Sequence, residues 1–302
     1  MAPSSIPSPR CRLGVASTGL LPASPPVGLG DPRYPACLRC LPAPPRSLWV
    51  VGRLPEPGER LVAIVGARAA SGAGCEIARA LAADLGRSGI AIVSGGAFGI
   101  DAAAHQGALA ARAATFAVLG CGTDIVYPDR HKGLFSAVGR SGGLLSEYPP
   151  GTKPRAGQFP ARNRIIAALG EAVVVVEAAQ RSGALITASR ARELGRVLLA
   201  VPGSSGTDAL VRAGQALPVT SAVDVERALA GELSPSAPSR PSSGPLAAVL
   251  QALDSGAATA AQLGQRLGLP LPTLLALLTE AELDGFVERK GGDIYEVNGS
   301  AC

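Results

Sequence analysis

Leu61-Val-Ala-Ile-Val-Gly-Ala-Arg-Ala-Ala-Ser-Gly-Ala-Gly74 is the stretch on which the fold turns. Five apolar residues in a row leave a strand with no polar face, so it must be covered on both sides. Gly66 ends the run. Ser71 to Arg87 then reads as a helix, with Ile77, Leu81 and Leu85 spaced for one face. A doubly buried strand, a glycine turn and an amphipathic helix make one βα unit of a parallel sheet.

The unit repeats downstream. Ile90 to Val93 reads as a strand closed by Ser94-Gly95-Gly96, and Asp101 to Ala113 as a helix capped by Asp101 or the residues before it. Thr115 to Leu119 is a strand, His131 to Val138 a short helix and Gly143 to Ser146 a strand. Helices over Phe159 to Leu169, Ser182 to Leu194 and Thr207 to Ala213 alternate with strands over Ala172 to Val176 and Val197 to Val201. The expected class is therefore α/β: a doubly wound, mostly parallel, Rossmann-like sheet over 48–230, opened by a short strand at Leu48-Trp-Val-Val51. Residues 1–47 are rich in Pro, Ser and Gly, and little regular structure is expected there. Residues 231–245 form a Ser/Pro linker. Beyond it, 246–298 predicts helices over Leu246 to Leu253, Ala260 to Leu267 and Thr273 to Leu283. A hairpin over Gly285 to Val297, turning at Gly291-Gly292, completes a small winged helix.

The 302 residues are 47% hydrophobic but only 3% aromatic, so the core must be Ala, Val, Leu and Ile. A net charge of +5 leans mildly toward polyanions. The winged-helix segment departs from this: 246–298 carries −4, leaving +9 on the rest. Its second and third helices hold one Arg between them, whereas a major-groove reader needs basic and amide side chains. This module is expected to meet protein rather than DNA. No apolar run reaches about 18 residues, so no membrane span is expected. Met1 to Ser24 makes a poor signal peptide, which points to the cytoplasm. Cys37-Leu-Arg-Cys40 is a lone C-x-x-C without a second pair or a nearby His, short of the four ligands zinc takes. Reduced thiols and no metal are expected.

Ligands of a parallel sheet sit at the carboxyl ends of the strands. The candidates there are the Gly66 to Gly74 loop with Arg68 and Ser71, and the Ser94 to Asp101 loop with Gly95, Gly96 and Phe98. Gly120-Cys-Gly122 with Tyr127-Pro128, Glu177, and Ser182-Gly183 complete the set. Glycine turns at helix starts let backbone N–H groups approach an anion, although a lone loop of this kind is usually just a tight strand-to-helix turn. A second stretch, Gly157-Gln-Phe-Pro-Ala-Arg-Asn-Arg-Ile-Ile166, adds Phe159, Arg162, Asn163 and Arg164. Arginine forks grip phosphates and an aromatic ring offers a base a stacking surface. The competing reading is a helix start with two solvated arginines.

Several enzyme classes fit poorly. The first loop is G-x-R rather than G-x-G-x-x-G, and the second strand ends without the acidic residue a dinucleotide ribose needs. No P-loop occurs. His105 follows Asp101 by four residues, which suggests a capping Asp paired with a structural His. Neither Ser94 nor Ser182 lies in a G-x-S-x-G turn. Glu177 reads as a helix cap or a partner for Arg162 or Arg164 before it reads as a general base.

Together these motifs resemble the DprA family (DNA-processing protein A, or Smf). The matching residues are Asp31-Pro-Arg-Tyr-Pro35, Pro44-Pro45 with Leu48-Trp-Val-Val-Gly52, Val62 to Arg68, and Ser94 to Asp101 with His105. Further on they are Val118 to Asp124 with Tyr127-Pro128, Leu145 to Pro149, Phe159 to Ile166, Val175-Val-Glu177, Arg181 to Thr187 and Ala200 to Gly203. The resemblance implies a non-catalytic protein without a cofactor. It would bind single-stranded DNA on a Rossmann-like domain, form a homodimer through that domain and load the RecA recombinase in natural transformation and recombination. It also implies a DNA groove built from Arg68, Lys153, Arg155, Phe159, Arg162, Asn163 and Arg164. Three departures stand out. Phe98 stands where many members have Arg, which removes a phosphate contact and offers a ring instead. The loop after Pro202-Gly203 is short, and the N-terminal helical domain of longer members is replaced by the Pro-rich start. The rival is a nucleotide phosphoribohydrolase of the lysine-decarboxylase-like group, whose signature is P-G-G-x-G-T-x-x-E. Pro202-Gly-Ser-Ser-Gly-Thr207 echoes it, but Leu210 stands where the catalytic Glu belongs. A transcription factor with a ligand-sensing Rossmann domain is weakened by the acidic reader helix.

Overall fold

The computed structural model describes residues 24–233, 243–283, 286–290 and 293–297. The βα alternation is present. Strands β1 (Ser24–Gly28), β2 (Ser47–Gly52), β3 (Leu61–Val65), β4 (Ala91–Ser94), β5 (Thr115–Val118), β6 (Gly143–Ser146), β7 (Ala172–Val175), β8 (Val197–Ala200) and β9 (Leu217–Pro218) form one sheet. Its order is β1-β2-β6-β5-β4-β3-β7-β8-β9. From β6 to β9 every pairing is parallel, whereas β2 runs antiparallel to β6 and β1 antiparallel to β2.

The central strand explains the layers. Leu61, Ala63 and Val65 join one core with α5 (Gln158–Leu169) and α6 (Gly183–Glu193). Val62 and Ile64 join the other with α2 (Gly72–Arg87), α3 (Ile100–Ala110) and α8 (Ala222–Leu229). All five are buried, so no position on β3 tolerates a polar side chain. Each fully buried Val or Ile contributes about 1.5–3 kcal/mol. A third group, around Phe135 and Val138 of α4 (Lys132–Ser141), packs on β5 and β6. Helix α7 (Ser205–Arg212) begins with a capping box made by Ser204 and Thr207, where Pro202 to Thr207 had echoed the phosphoribohydrolase signature.

The expectation of little regular structure before Ser47 does not hold for residues 24–46. Strand β1 pairs Val27 with Leu48, and a short helix α1 (Ala36–Arg39) follows. Tyr34 is buried, donates to the Pro45 carbonyl at 2.8 Å and shares the core with Leu38 and Leu41. Two prolines within β1 are compatible with its place at the sheet edge, where no neighbour needs their N–H groups. The earlier residues, most of the 231–245 linker and the Gly291-Gly292 turn lie outside the described residues.

The second unit has its own core. Helices α9 (Pro245–Leu253), α10 (Ala260–Leu267) and α11 (Leu271–Leu283) surround Val249, Leu250, Leu263, Leu274 and Leu278. Strands β11 (Val287–Lys290) and β12 (Ile294–Val297) pair antiparallel, and β10 (Ala258–Thr259) adds a third strand that the sequence pattern did not suggest. Among the described residues, no helix is long and apolar enough to cross a membrane.

Candidate nucleic-acid interface

The strand order reverses between β3 and β7, and loops leaving these two strands diverge there. This is where open α/β sheets bind ligands. A cleft of about 500 Å³ opens at that point, lined by Arg68, Asp101, Phe159, Arg162, Asn163 and Ser182 among others. Its lips are pinned. Glu177, after β7, accepts from the Ser71 hydroxyl at 2.6 Å and from the Ser71 N–H at 3.1 Å. Ser71 in turn accepts from the Gly74 N–H, which caps α2. Glu177 therefore takes the helix-start role the sequence offered, at α2 rather than at the helix that follows it, and pairs with neither arginine. The loop after β4 approaches the one after β3 so closely that a Cβ on Gly99 would lie 2.3 Å from the Ala67 carbonyl oxygen. Gly99 has φ +73, which glycine adopts without strain.

The arginines divide into three environments. Arg68 is exposed, with its guanidinium 5.2 Å from the centroid of the half-buried Phe159 ring. Arg162 is only 4% exposed. It donates to the Gly95 carbonyl at 2.6 Å and to the Val118 carbonyl, tying together the ends of β4 and β5 beneath the cleft. Burial lowers its pKa to about 10, opposed by the nearby Asp101 carboxylate, so it stays charged at neutral pH. Burial also raises the pKa of Asp101, whose carboxylate accepts from the Ala97 N–H at 3.3 Å. Arg164 faces elsewhere. It makes a bidentate pair with Glu147, both bonds 2.8 Å, and donates to the Ala43 carbonyl at 3.2 Å. Lys153 and Arg155 are exposed and line neither the cleft nor the recess beside it.

The remaining candidates fall close by. The Asn163 amide donates to the Gly183 carbonyl at 3.2 Å, joining α5 to the start of α6. Ser182 Oγ is buried at the cleft and has no hydrogen-bond partner among the described residues. Gly95, Gly96 and Phe98 line the adjoining recess with Arg68 and Phe159. The expected pairing of Asp101 with His105 is absent. The two share a helical face, but His105 Nδ1 lies 2.8 Å from Thr115 Oγ1, and burial lowers the pKa of its imidazole to about 3. Tyr127, which the sequence placed with the strand-end candidates but outside the DNA groove the resemblance implied, is 44% exposed, lies 5.5 Å from the Phe159 ring and lines the recess too. Its place after Gly120-Cys-Gly122, a strand-end turn, was the available signal.

The winged helix offers few free cations. Lys290 lies beside Glu288 and Glu296, and Arg289 beside Asp293. Helix α11 exposes Leu271 and Leu275.

Comparison with known proteins places this geometry. Residues 26–230 match the family model of DNA recombination-mediator protein A, and 233–293 that of the DprA winged helix domain. A putative DNA processing protein DprA of Mycobacterium tuberculosis is 41% identical over 265 residues, covering 82% of this chain and 68% of the relative. Protein Smf of a Synechocystis strain is 46% identical over 181 residues, 58% of this chain, which spans 45% of the relative's length. The X-ray structure of DprA from Streptococcus pneumoniae superposes with a TM-score of 0.64 at 40% identity, covering 70% of this chain and 75% of that one. A DprA structure from Helicobacter pylori, described for its single-stranded DNA binding mode, superposes with a TM-score of 0.63 at 29% identity, covering 71% and 98%.

Proposed function

Because the chain belongs to the DNA recombination-mediator protein A family, also called DprA or Smf, we propose that it binds single-stranded DNA in the cleft between β3 and β7. The observation that carries this is the exposed Arg68 guanidinium against the Phe159 ring at the mouth of that cleft. A cation beside a stacking face suits a strand whose phosphates and bases are both accessible. Arg68 grips phosphate directly. Arg162 adds a fixed positive field from beneath, and the unpartnered Ser182 hydroxyl offers a further donor. Asn163 and Gly183 shape the wall. Lys153 and Arg155 extend the positive surface outside the cleft.

The role is non-catalytic. What supports this is the structural employment of the titratable groups: Glu177 on Ser71, His105 on Thr115, and His131 on the Gly96 carbonyl. Leu210 in place of a catalytic Glu weighs against the phosphoribohydrolase reading. On family membership, the reading extends to a cytoplasmic homodimer that protects incoming strands and loads RecA during natural transformation and recombination. Titration of oligo-dT against duplex of equal length tests the central claim. Preference for the single strand, falling steeply with salt, is the expected result, and equal affinity for the two would overturn it. A RecA filament assay on coated single strands tests the extension.

A further inference from the structure

The chain has five Phe, four Tyr and one Trp. Half are used inside: Phe116, Phe135, Tyr34, Phe286 and Tyr295 are buried. Among the described residues the two exposed rings, Phe98 and Tyr127, are each 44% exposed and line the same recess of about 60 Å³. Phe159 and Arg68 form the wall shared with the main cleft. The rings are also held in place. Phe98 meets His131 edge-on at 4.7 Å, His131 meets Phe135 at 5.8 Å, and His131 Nδ1 lies 3.0 Å from the Gly96 carbonyl. Tyr127 leans on Phe159 at 5.5 Å. Phe159 lies so close over Gly120 that a Cβ there would be 2.9 Å from the ring.

We propose that this recess is a second binding site, taking one unstacked nucleobase against the Phe98 and Tyr127 rings while Arg68 holds a phosphate at the boundary with the main cleft. The inference rests on the single-strand reading above and adds an adjoining recess that shares Arg68, Phe159 and Arg162 with the cleft and contributes the Phe98 and Tyr127 rings. The exposed Phe98 and Tyr127 rings give the recess stacking surfaces, and every base has a π-face. Arg68, which lines both cavities, sits where a strand would pass from one to the other.

The test compares two strands of about 20 nucleotides with the same phosphates: oligo-dT and a fully abasic strand. Phe98→Leu keeps apolar bulk and removes the ring, and Phe98→Tyr keeps the ring. Phe98→Leu should weaken oligo-dT binding roughly tenfold, the scale of losing one base stack. It should leave the abasic strand and the salt slope unchanged, with Phe98→Tyr close to wild type on both. Tyr127→Leu should repeat the base-dependent loss. Thermal melting of each variant should match wild type, since both rings are partly in solvent. Unchanged oligo-dT affinity in Phe98→Leu, or an equal loss on the abasic strand, overturns the second site. If wild type also fails to bind oligo-dT, the functional proposal falls with it. If wild type binds and Arg68→Ala weakens it, only the recess is wrong.

Discussion

Arg68 carries its guanidinium 5.2 Å from the Phe159 ring centroid, and the two residues come from separate elements, one after β3 and one at the start of α5. The ring steadies the cation by its negative face without neutralising it. Arg68 is thereby aimed yet still free for an anion. Arg68→Ala should weaken binding to all single strands alike and reduce the salt slope by about 0.7 unit. Phe159→Ala should cost about 1–3 kcal/mol of affinity at unchanged melting temperature if the ring stacks on a base. Anisotropy titrations at several salt concentrations, paired with melting curves, measure both.

Arg164 is a structural residue in this arrangement. Its bidentate pair with Glu147 is largely shielded, with side chains 21% and 18% exposed. Arg164→Ala should cost about 1–2 kcal/mol of stability, between a surface and a buried pair. Glu147→Gln should cost a similar amount, and the double variant less than the sum. Urea denaturation of the four proteins checks this. An Arg164→Ala protein that melts normally but loses DNA binding would return Arg164 to the phosphate contacts.

His105 makes stability depend on acid. Its folded pKa of about 3 lies below the ordinary value of 6.5 because burial disfavours the charged ring. Below about pH 6.5 the unfolded chain binds a proton that the folded chain refuses, so stability present above that pH is lost as pH falls toward 3. The slope from this group approaches about 1.4 kcal/mol per pH unit. Asp101, whose pKa is raised by burial, opposes it by binding a proton in the folded state. His105→Gln should flatten the decline in the urea midpoint between pH 6.5 and 4.5; an unaltered profile would assign the acid sensitivity to other groups.

The winged helix should contribute little to strand affinity. It carries −4 overall, and the cations of its wing lie beside carboxylates. A chain ending after residue 233 retains both cores of the large sheet. It should bind oligo-dT within about threefold of full length, because its phosphate contacts are intact. Sequence-specific duplex binding by 246–298 alone, at moderate salt, would contradict this.

Local features were legible in the sequence and remote ones were not. The parallel sheet announced itself through apolar runs of four or five residues alternating with helical patterns, and Arg68 and Phe159 stood out because turn and helix start are local patterns. Strand β1 was hidden because Ser24-Pro-Pro-Val-Gly28 looks like a spacer until an antiparallel neighbour makes it an edge. The two-residue β9 and β10 are too short to show a period, and α8 went unread although Ser221 and Asp224 form a capping box. Arg162 and Arg164 look alike in Phe159 to Ile166, but their fates depend on distant acceptors: Gly95 and Val118 for one, Glu147 and Ala43 for the other. No spacing rule within the helix separates a buried staple from a surface clamp.

The bond between Ser71 and Glu177 spans the point where the sheet changes direction, so the width of the mouth is set before any strand arrives. A frame fixed in this way leaves the flexible polymer to do the adjusting. Capture should then proceed in one concentration-dependent phase, with the strand surrendering its disorder and the protein little of its own. Ser71→Ala would loosen the frame and should turn that single phase into two, a slow settling of the mouth following first contact.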